Sequence, residues 1–156
     1  MIKRKRWSRP KRTLISPLAS TAAVAAVMRG NKKKNSRPEL AVRRALTRLG
    51  YRYRLHARDL PGNPDIVFRG RRKLIFVHGC FWHQHQNVHC PLRSHPKSNI
   101  DYWGPKLRRN GERDEKNRRI LRNLGWSVLI IWECQLKSAA NLDTRLEGFL
   151  SLSPRP

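Results

Sequence analysis

Hydrophobic residues fall along this chain in two rhythms. Pro64-Asp65-Ile66-Val67-Phe68, Lys73-Leu74-Ile75-Phe76-Val77 and Trp126-Ser127-Val128-Leu129-Ile130-Ile131-Trp132 are short, largely apolar runs rich in β-branched and aromatic residues, and they predict buried strands. Tyr51-Arg52-Tyr53-Arg54-Leu55 alternates apolar and charged, as a half-exposed strand does. The helical rhythm appears at Val42, Ala45, Leu46 and Leu49, behind a start signal in which Ser36 is the N-cap, Pro38 lies in the first turn and Glu39 takes the capping-box position. Gly50 ends that helix. A second helix is expected from about Tyr102 to Leu124, broken near Gly104-Pro105, with Ile120, Leu121 and Leu124 facing inward and Gly125 as its stop. Leu142, Leu146, Phe149 and Leu150 predict another amphipathic helix.

These elements combine into an α/β domain, a mixed β-sheet flanked by helices. Arg69-Gly70-Arg71-Arg72 has the length and the glycine of a hairpin turn, so the Asp65 and Val77 strands pair antiparallel and bring Asp65 and the end of the Val77 strand to one edge. The strand-helix-strand order that follows predicts a right-handed crossover and a parallel final strand. A chain of 156 residues suits a single core. Residues 28–150 are read as the folded domain, 1–27 as a basic, disordered extension and 151–156 as a tail.

Charge narrows the partners. Lys and Arg number 35 against 10 acids, a formal charge of +25, and every acid lies at or after Glu39. Such a field attracts polyanions, nucleic acid first among them. The Lys32-Lys33-Lys34 run suits a phosphate backbone, as do Arg108, Arg109 and Arg113. The Ala-rich stretch from Thr13 to Val27 imitates a targeting segment but is too short and too weakly apolar to span a bilayer, so no membrane partner is expected.

Chemistry concentrates in Val77-His78-Gly79-Cys80-Phe81-Trp82-His83-Gln84-His85, where a buried strand gives way to metal-binding, proton-transfer and stacking side chains. Cys80, His85 and Cys90 form C-x4-H-x4-C, and Cys134 follows the other central strand. Three thiolates and one imidazole complete a tetrahedral structural zinc set, with His83 and His89 as competing imidazoles. An odd cysteine count argues against a disulfide framework and for a reducing, cytoplasmic compartment. Asp65 and His83 remain for a reaction. Asp65 suits a turn cap after proline as well as it suits a catalytic carboxylate, and His83 can accept a proton near neutrality. Pro-Asp opening one strand before a second resembles the restriction-endonuclease superfamily, although Val77 and His78 stand where that superfamily places Glu and Lys. A passive zinc-containing DNA- or RNA-binding protein is the reading that competes with a nuclease, and Asp65 separates the two, because a binder has no use for it.

The strings H-G-C-F-W-H at 78–83, P-G-N-P-D at 61–65, M-R-G-N-K-K-K-N-S-R-P-E at 28–39, N-G-E-R-D at 110–114 and L-G-W-S-V-L-I-I-W-E-C at 124–134 together resemble the very short patch repair endonucleases. That resemblance implies a restriction-endonuclease-like fold and Mg²⁺-dependent nicking of duplex DNA beside T:G mismatches left by deamination of 5-methylcytosine. It implies Asp65 as the Mg²⁺ carboxylate, the Val77 carbonyl as a second ligand, His83 as general base, His78 beside the scissile phosphate and Glu39 near the metal through water. It also implies Cys80, His85, Cys90 and Cys134 as the Zn²⁺ ligands, and Phe81, Trp82 and Trp103 as a wedge into the duplex. Met28, Lys32, Lys33, Lys34, Lys106, Asn110 and Arg113 complete the implied DNA contacts. The same resemblance points to a monomer associated with the bacterial nucleoid and in contact with mismatch-repair proteins, and a related nuclease with another substrate is the nearest alternative.

Overall fold

The computed structural model describes residues 34–151. Helix α1 (Arg37–Arg48) leads to β1 (Arg54–Leu55), β2 (Ile66–Phe68) and β3 (Lys73–His78). The long helix α2 (Ile100–Asn123) then returns the chain to β4 (Ser127–Trp132), and α3 (Ala139–Ser151) follows. The sheet order is β1-β2-β3-β4, with β1/β2 and β2/β3 antiparallel and β3/β4 parallel; the antiparallel β2/β3 pair and a parallel last strand are what the sequence pattern predicts.

Alternation along the strands sorts the core into two layers. Ile66, Phe68, Ile75 and Ile131 pack with Val42, Ala45 and Leu46 of α1 and Leu142, Leu146 and Leu150 of α3. Val67, Leu74 and Phe76 face the other way, onto Leu121 of α2. Both faces of the central strands are covered, which is why they read as continuous apolar runs. Each fully buried leucine or isoleucine stabilises this arrangement by about 1.5–3 kcal/mol relative to exposure.

Lys73 lies at the base of β3 and is buried. Its ammonium donates to the carbonyls of Phe149 (2.7 Å) and Leu150 (3.3 Å), at the C-terminal end of α3, where helix carbonyls lack intrahelical partners and the dipole favours a cation. Gly50 closes α1 with φ +78°, and Tyr51 N donates to Leu46 O, a left-handed cap that a β-carbon would strain.

Five expectations need correction. Leu124, expected to face inward, is 51% exposed just past the end of α2, and Leu121 is the buried residue there. The strand foreseen at 51–55 is paired only at Arg54–Leu55, because β2 ends at Phe68, and Tyr51 and Tyr53 instead set their rings edge-on to Phe68. The turn at 69–72 takes its left-handed residue at Arg72 (φ +49°), not at Gly70. The break near Gly104-Pro105 is absent: α2 is continuous, since Pro105 lies so near its start that only the bond to the exposed Asp101 carbonyl is lost. Finally, β3 extends through His78, so that histidine belongs to the rigid strand rather than to the loop after it.

Candidate active site and metal centres

The parallel register pairs His78 with Trp132, so both central strands end at the same level and open into neighbouring loops. His78 shares the α2 face with Leu74 and Phe76 and is buried. The following loop coils tightly: His83 N donates to Gly79 O (3.2 Å) and His85 N to Cys80 O (3.0 Å). A β-carbon on Gly79 would stand 3.2 Å from Trp82 Cδ1, so glycine here permits the close turn. The coil lays the His83 ring flat on His78, with centroids 3.8 Å apart and planes 10° from parallel.

Asp114 approaches from α2, its Oδ2 2.5 Å from His83 Nδ1. Burial pushes the Asp114 carboxyl up, but the hydrogen bond to His83, with the Arg113 guanidinium nearby, outweighs it, and the group lies below the ordinary carboxylate range. An ionised carboxylate only accepts, so Nδ1 carries the proton and Nε2 is left as the ring's acceptor. Burial, with the guanidinium charges of Arg118 and Arg113 adding to it, holds His78 down to about 3, so it is neutral at physiological pH.

Asp65 stands at the start of β2, and its Oδ2 accepts from Val77 N (2.8 Å), the contact expected of antiparallel neighbours. Burial pushes its carboxyl up to about 6, against the Val77 hydrogen bond and with the Glu39 charge adding to the rise. Glu39 is buried in the first turn of α1. The capping box is altered: Ser36 Oγ accepts from Glu39 N (3.3 Å) as expected, but Glu39 Oε2 accepts from Asn35 N (2.7 Å) rather than from the cap residue. Glu39 Oε1 has no hydrogen-bond partner, an orphaned buried oxygen near the half-buried Asp65 carboxylate. Such a pair suits a divalent cation, because unpaired buried anions are costly. The residues present therefore fit a metal at Asp65.

Cys80, His85, Cys90 and Cys134 bring one donor atom each within 4.8 Å of one another, and the three cysteines are free thiols. Cys134 Sγ lies 3.5 Å from His85 Nδ1. Burial drives the Cys80 thiol up, whereas hydrogen bonds, His85's foremost, draw Cys90 down against its own burial. This donor set fits a closed tetrahedral zinc site, and of the histidines considered for it His85 is the one the structure groups with the thiols. Trp132 separates the two centres, stacked on His85 (4.2 Å) and edge-on to His78 (5.3 Å).

Phe81, Trp82 and Trp103 form a half-buried aromatic group with centroids 5.0–5.8 Å apart. Lys106 Nζ lies 4.9 Å from the Trp103 centroid, and Asn110 Nδ2 donates to Trp82 O (3.2 Å). Arg113 donates to Asp114 Oδ1 (3.2 Å). Lys34 is exposed, whereas Met28, Lys32 and Lys33 lie outside the described residues.

Two residues of these clusters escape a reading of the sequence. Asp114 has a recoverable signal, because Leu107 and Leu121 are the buried residues of α2 and Asp114 lies seven residues from each, a carboxylate in the middle of the buried seam. His56 has none: strand alternation would point it outward, and only its left-handed backbone (φ +50°) turns it toward Glu39.

Residues 19–89 match the family model described as DNA mismatch endonuclease Vsr. The chain is 47% identical over 127 residues to the type II nicking enzyme V.XorIIP of Xanthomonas oryzae pv. oryzae, covering 81% of this chain and 91% of that protein. It is 38% identical over 132 residues to the type II nicking enzyme V.NmeAIP of Neisseria meningitidis, 85% of this chain and 92% of the relative. With the DNA mismatch endonuclease Vsr of Escherichia coli (strain K12) it shares 39% identity over 115 residues, 74% of this chain and 72% of that one. A mixed sheet ending in a carboxylate and a His-Asp pair, joined to relatives matched over most of their length, places this chain in the Vsr family of DNA endonucleases, enzymes that act on phosphodiester bonds.

Proposed function

We propose that this endonuclease nicks one strand of duplex DNA beside a T:G mismatch, with Mg²⁺ at Asp65 and Zn²⁺ in the thiol cluster. The observation that carries the reading is the Val77–Asp65 hydrogen bond, which sets the carboxylate at the same strand end that presents His78, His83 and Asp114. His83, with Nδ1 committed to Asp114, accepts the proton of the attacking water at Nε2. His78, kept neutral by burial, supports the His83 ring from beneath and stands beside the scissile phosphate. A residue's N–H and C=O leave an extended strand on the same side, so the Val77 carbonyl faces the Asp65 side and suits the role of second ligand. A divalent ion held there supplies positive charge against the phosphate oxygens. The zinc ligands tie the loop after β3 to the turn after β4, which supports a structural role.

Phe81, Trp82 and Trp103 are the wedge, inserted where a T:G pair stacks less firmly than a matched one. Lys106 and Asn110 brace it, and Lys34 and Arg113, with Met28, Lys32 and Lys33, contact the DNA. Residues 28–150 form the nuclease unit, and the basic segment before them adds affinity without sequence information. A DNA substrate and unoxidised thiols go with the bacterial cytoplasm.

Incubation with T:G duplexes in varied flanking sequences, plus Mg²⁺, with both strands mapped, tests the reading. The expected product is a single nick on the thymine strand in one flanking context. Equal cleavage of matched duplexes would overturn the mismatch assignment, and cleavage of both strands would overturn the nicking one.

A further inference from the structure

His56 takes no part in the chemistry set out above, yet it lies against the buried Glu39 and the half-buried Asp65 carboxylates. Its Nε2 is 3.3 Å from Glu39 Oε1, but that oxygen accepts no hydrogen bond, so the two atoms are close without being aligned as donor and acceptor. Arg43 NH1, 3.7 Å from the same oxygen, is hydrogen-bonded to Asn35 Oδ1 instead. Glu39 Oε1 is thus a carboxylate oxygen without a hydrogen bond, on a side chain only 3% exposed. Donor atoms of Glu39, His56 and Asp65 all lie within 4.8 Å of one another. Two donors at right angles about 2.1 Å from one ion stand about 3 Å apart, the spacing seen between Nε2 and Oε1. The backbone of His56 supports this aim: φ is +50°, uncommon for a side chain of this size, and its N–H donates to Asp65 O (3.1 Å), anchoring the turn to the metal carboxylate's own residue.

We infer that His56 Nε2 is a direct ligand, with Glu39 and Asp65, of the divalent cation at this edge of the sheet, and that it tunes the site toward first-row transition ions over magnesium. The inference rests on the reading of Asp65 as a metal carboxylate and deepens it. Magnesium takes oxygen donors and keeps its waters, whereas an imidazole nitrogen favours the later first-row ions. Glu39 then binds directly through its orphaned oxygen.

The full chain is titrated with MnCl₂ and free Mn²⁺ is followed by electron paramagnetic resonance, with MgCl₂ as competitor. Electron spin-echo modulation then reads whether an imidazole ¹⁴N is bound to the Mn²⁺. His56→Asn is the main variant, because asparagine tolerates the left-handed backbone, and His83→Gln and Asp65→Ala are its companions. The expected result is an imidazole signal in the parent that persists in His83→Gln and vanishes in His56→Asn. Mn²⁺ affinity should fall about tenfold or more in His56→Asn, and Mg²⁺ affinity by much less. An imidazole signal and Mn²⁺ affinity both retained in His56→Asn, with Asp65→Ala losing Mn²⁺, overturns the role of His56 and leaves the carboxylate reading standing. Mn²⁺ binding indifferent to Asp65→Ala overturns both.

Discussion

Two clusters of potential ligands lie on either side of Trp132, and they are finished to different degrees. The Cys80, His85, Cys90 and Cys134 group is a closed set: four donors, drawn from two distant segments, face only one another. The Asp65, Glu39, His78, His83 and Asp114 group is open, with an orphaned oxygen at Glu39 and an imidazole nitrogen left over at His83. Saturated ligation gives rigidity, and unsaturated ligation leaves room for a substrate. The loop from Gly79 to Cys90 belongs to both, so the closed cluster serves the open one by fixing where His83 falls.

This division is most directly broken by substitution on the open side. Asp65→Ala and His83→Ala should each lower nicking by about a thousandfold or more, with the fold and the zinc content retained, as strand-mapped nicking, calorimetry and metal analysis would reveal. Substitution on the closed side should do the reverse. Cys134→Ser is expected to lower stability by about 3 kcal/mol, a fall of about 10 °C in Tm, while the fraction still folded nicks at close to the parental rate. Well-folded parental protein without zinc would end the structural assignment.

A pH series sharpens the contrast. The Asp65 carboxyl is raised in the folded state to about 6, so the folded chain binds this proton more tightly than the unfolded one. Its ionisation therefore destabilises the metal-free fold as pH rises from about 4 to about 6, and the deficit is complete above that. Asp65→Asn should accordingly stabilise metal-free protein at pH 8, by at most about 3 kcal/mol, and confer nothing at pH 4. Equal melting curves at both pH values would show that the site holds no unfavourable charge.

The smallest effect concerns recognition. Stacking on one aromatic ring contributes about 1–3 kcal/mol, so Trp82→Ala should reduce the ratio of mismatched to matched binding about ten- to a hundredfold with little change in the salt slope. A retained ratio with a shallower slope would make Trp82 a packing residue.

How much of this was legible in the chain depended on whether the signal was local. Strands, helix caps and the closed cluster are written in short patterns, such as Leu74 to Val77, Ser36 ahead of Glu39, and cysteine-histidine spacing. The antiparallel meeting of Asp65 with Val77 follows from the turn between them. Asp114 was hidden because a carboxylate on a charged helix looks solvated until the buried seam of Leu107 and Leu121 is known. His56 was hidden because one left-handed residue inverts the face that alternation assigns to it. The continuity of α2 through Pro105 was misjudged for a related reason: the disruption a proline causes depends on its distance from the helix start, which the sequence marks poorly there, since Asn99 caps without a side-chain hydrogen bond.

The grip of Lys73 on α3 bears on when activity can arise during synthesis. β3 ends at His78, yet its first residue buries an ammonium that donates to the carbonyls of Phe149 and Leu150, and the core layer beneath it is filled by Leu142, Leu146 and Leu150. A nascent chain that has emerged only through Cys134 holds every side chain of the two ligand groups, but it leaves that ammonium without these carbonyls and one face of the sheet uncovered. The sheet edge that bears Asp65 and His83 therefore gains its full core only once the chain has been made through Leu150.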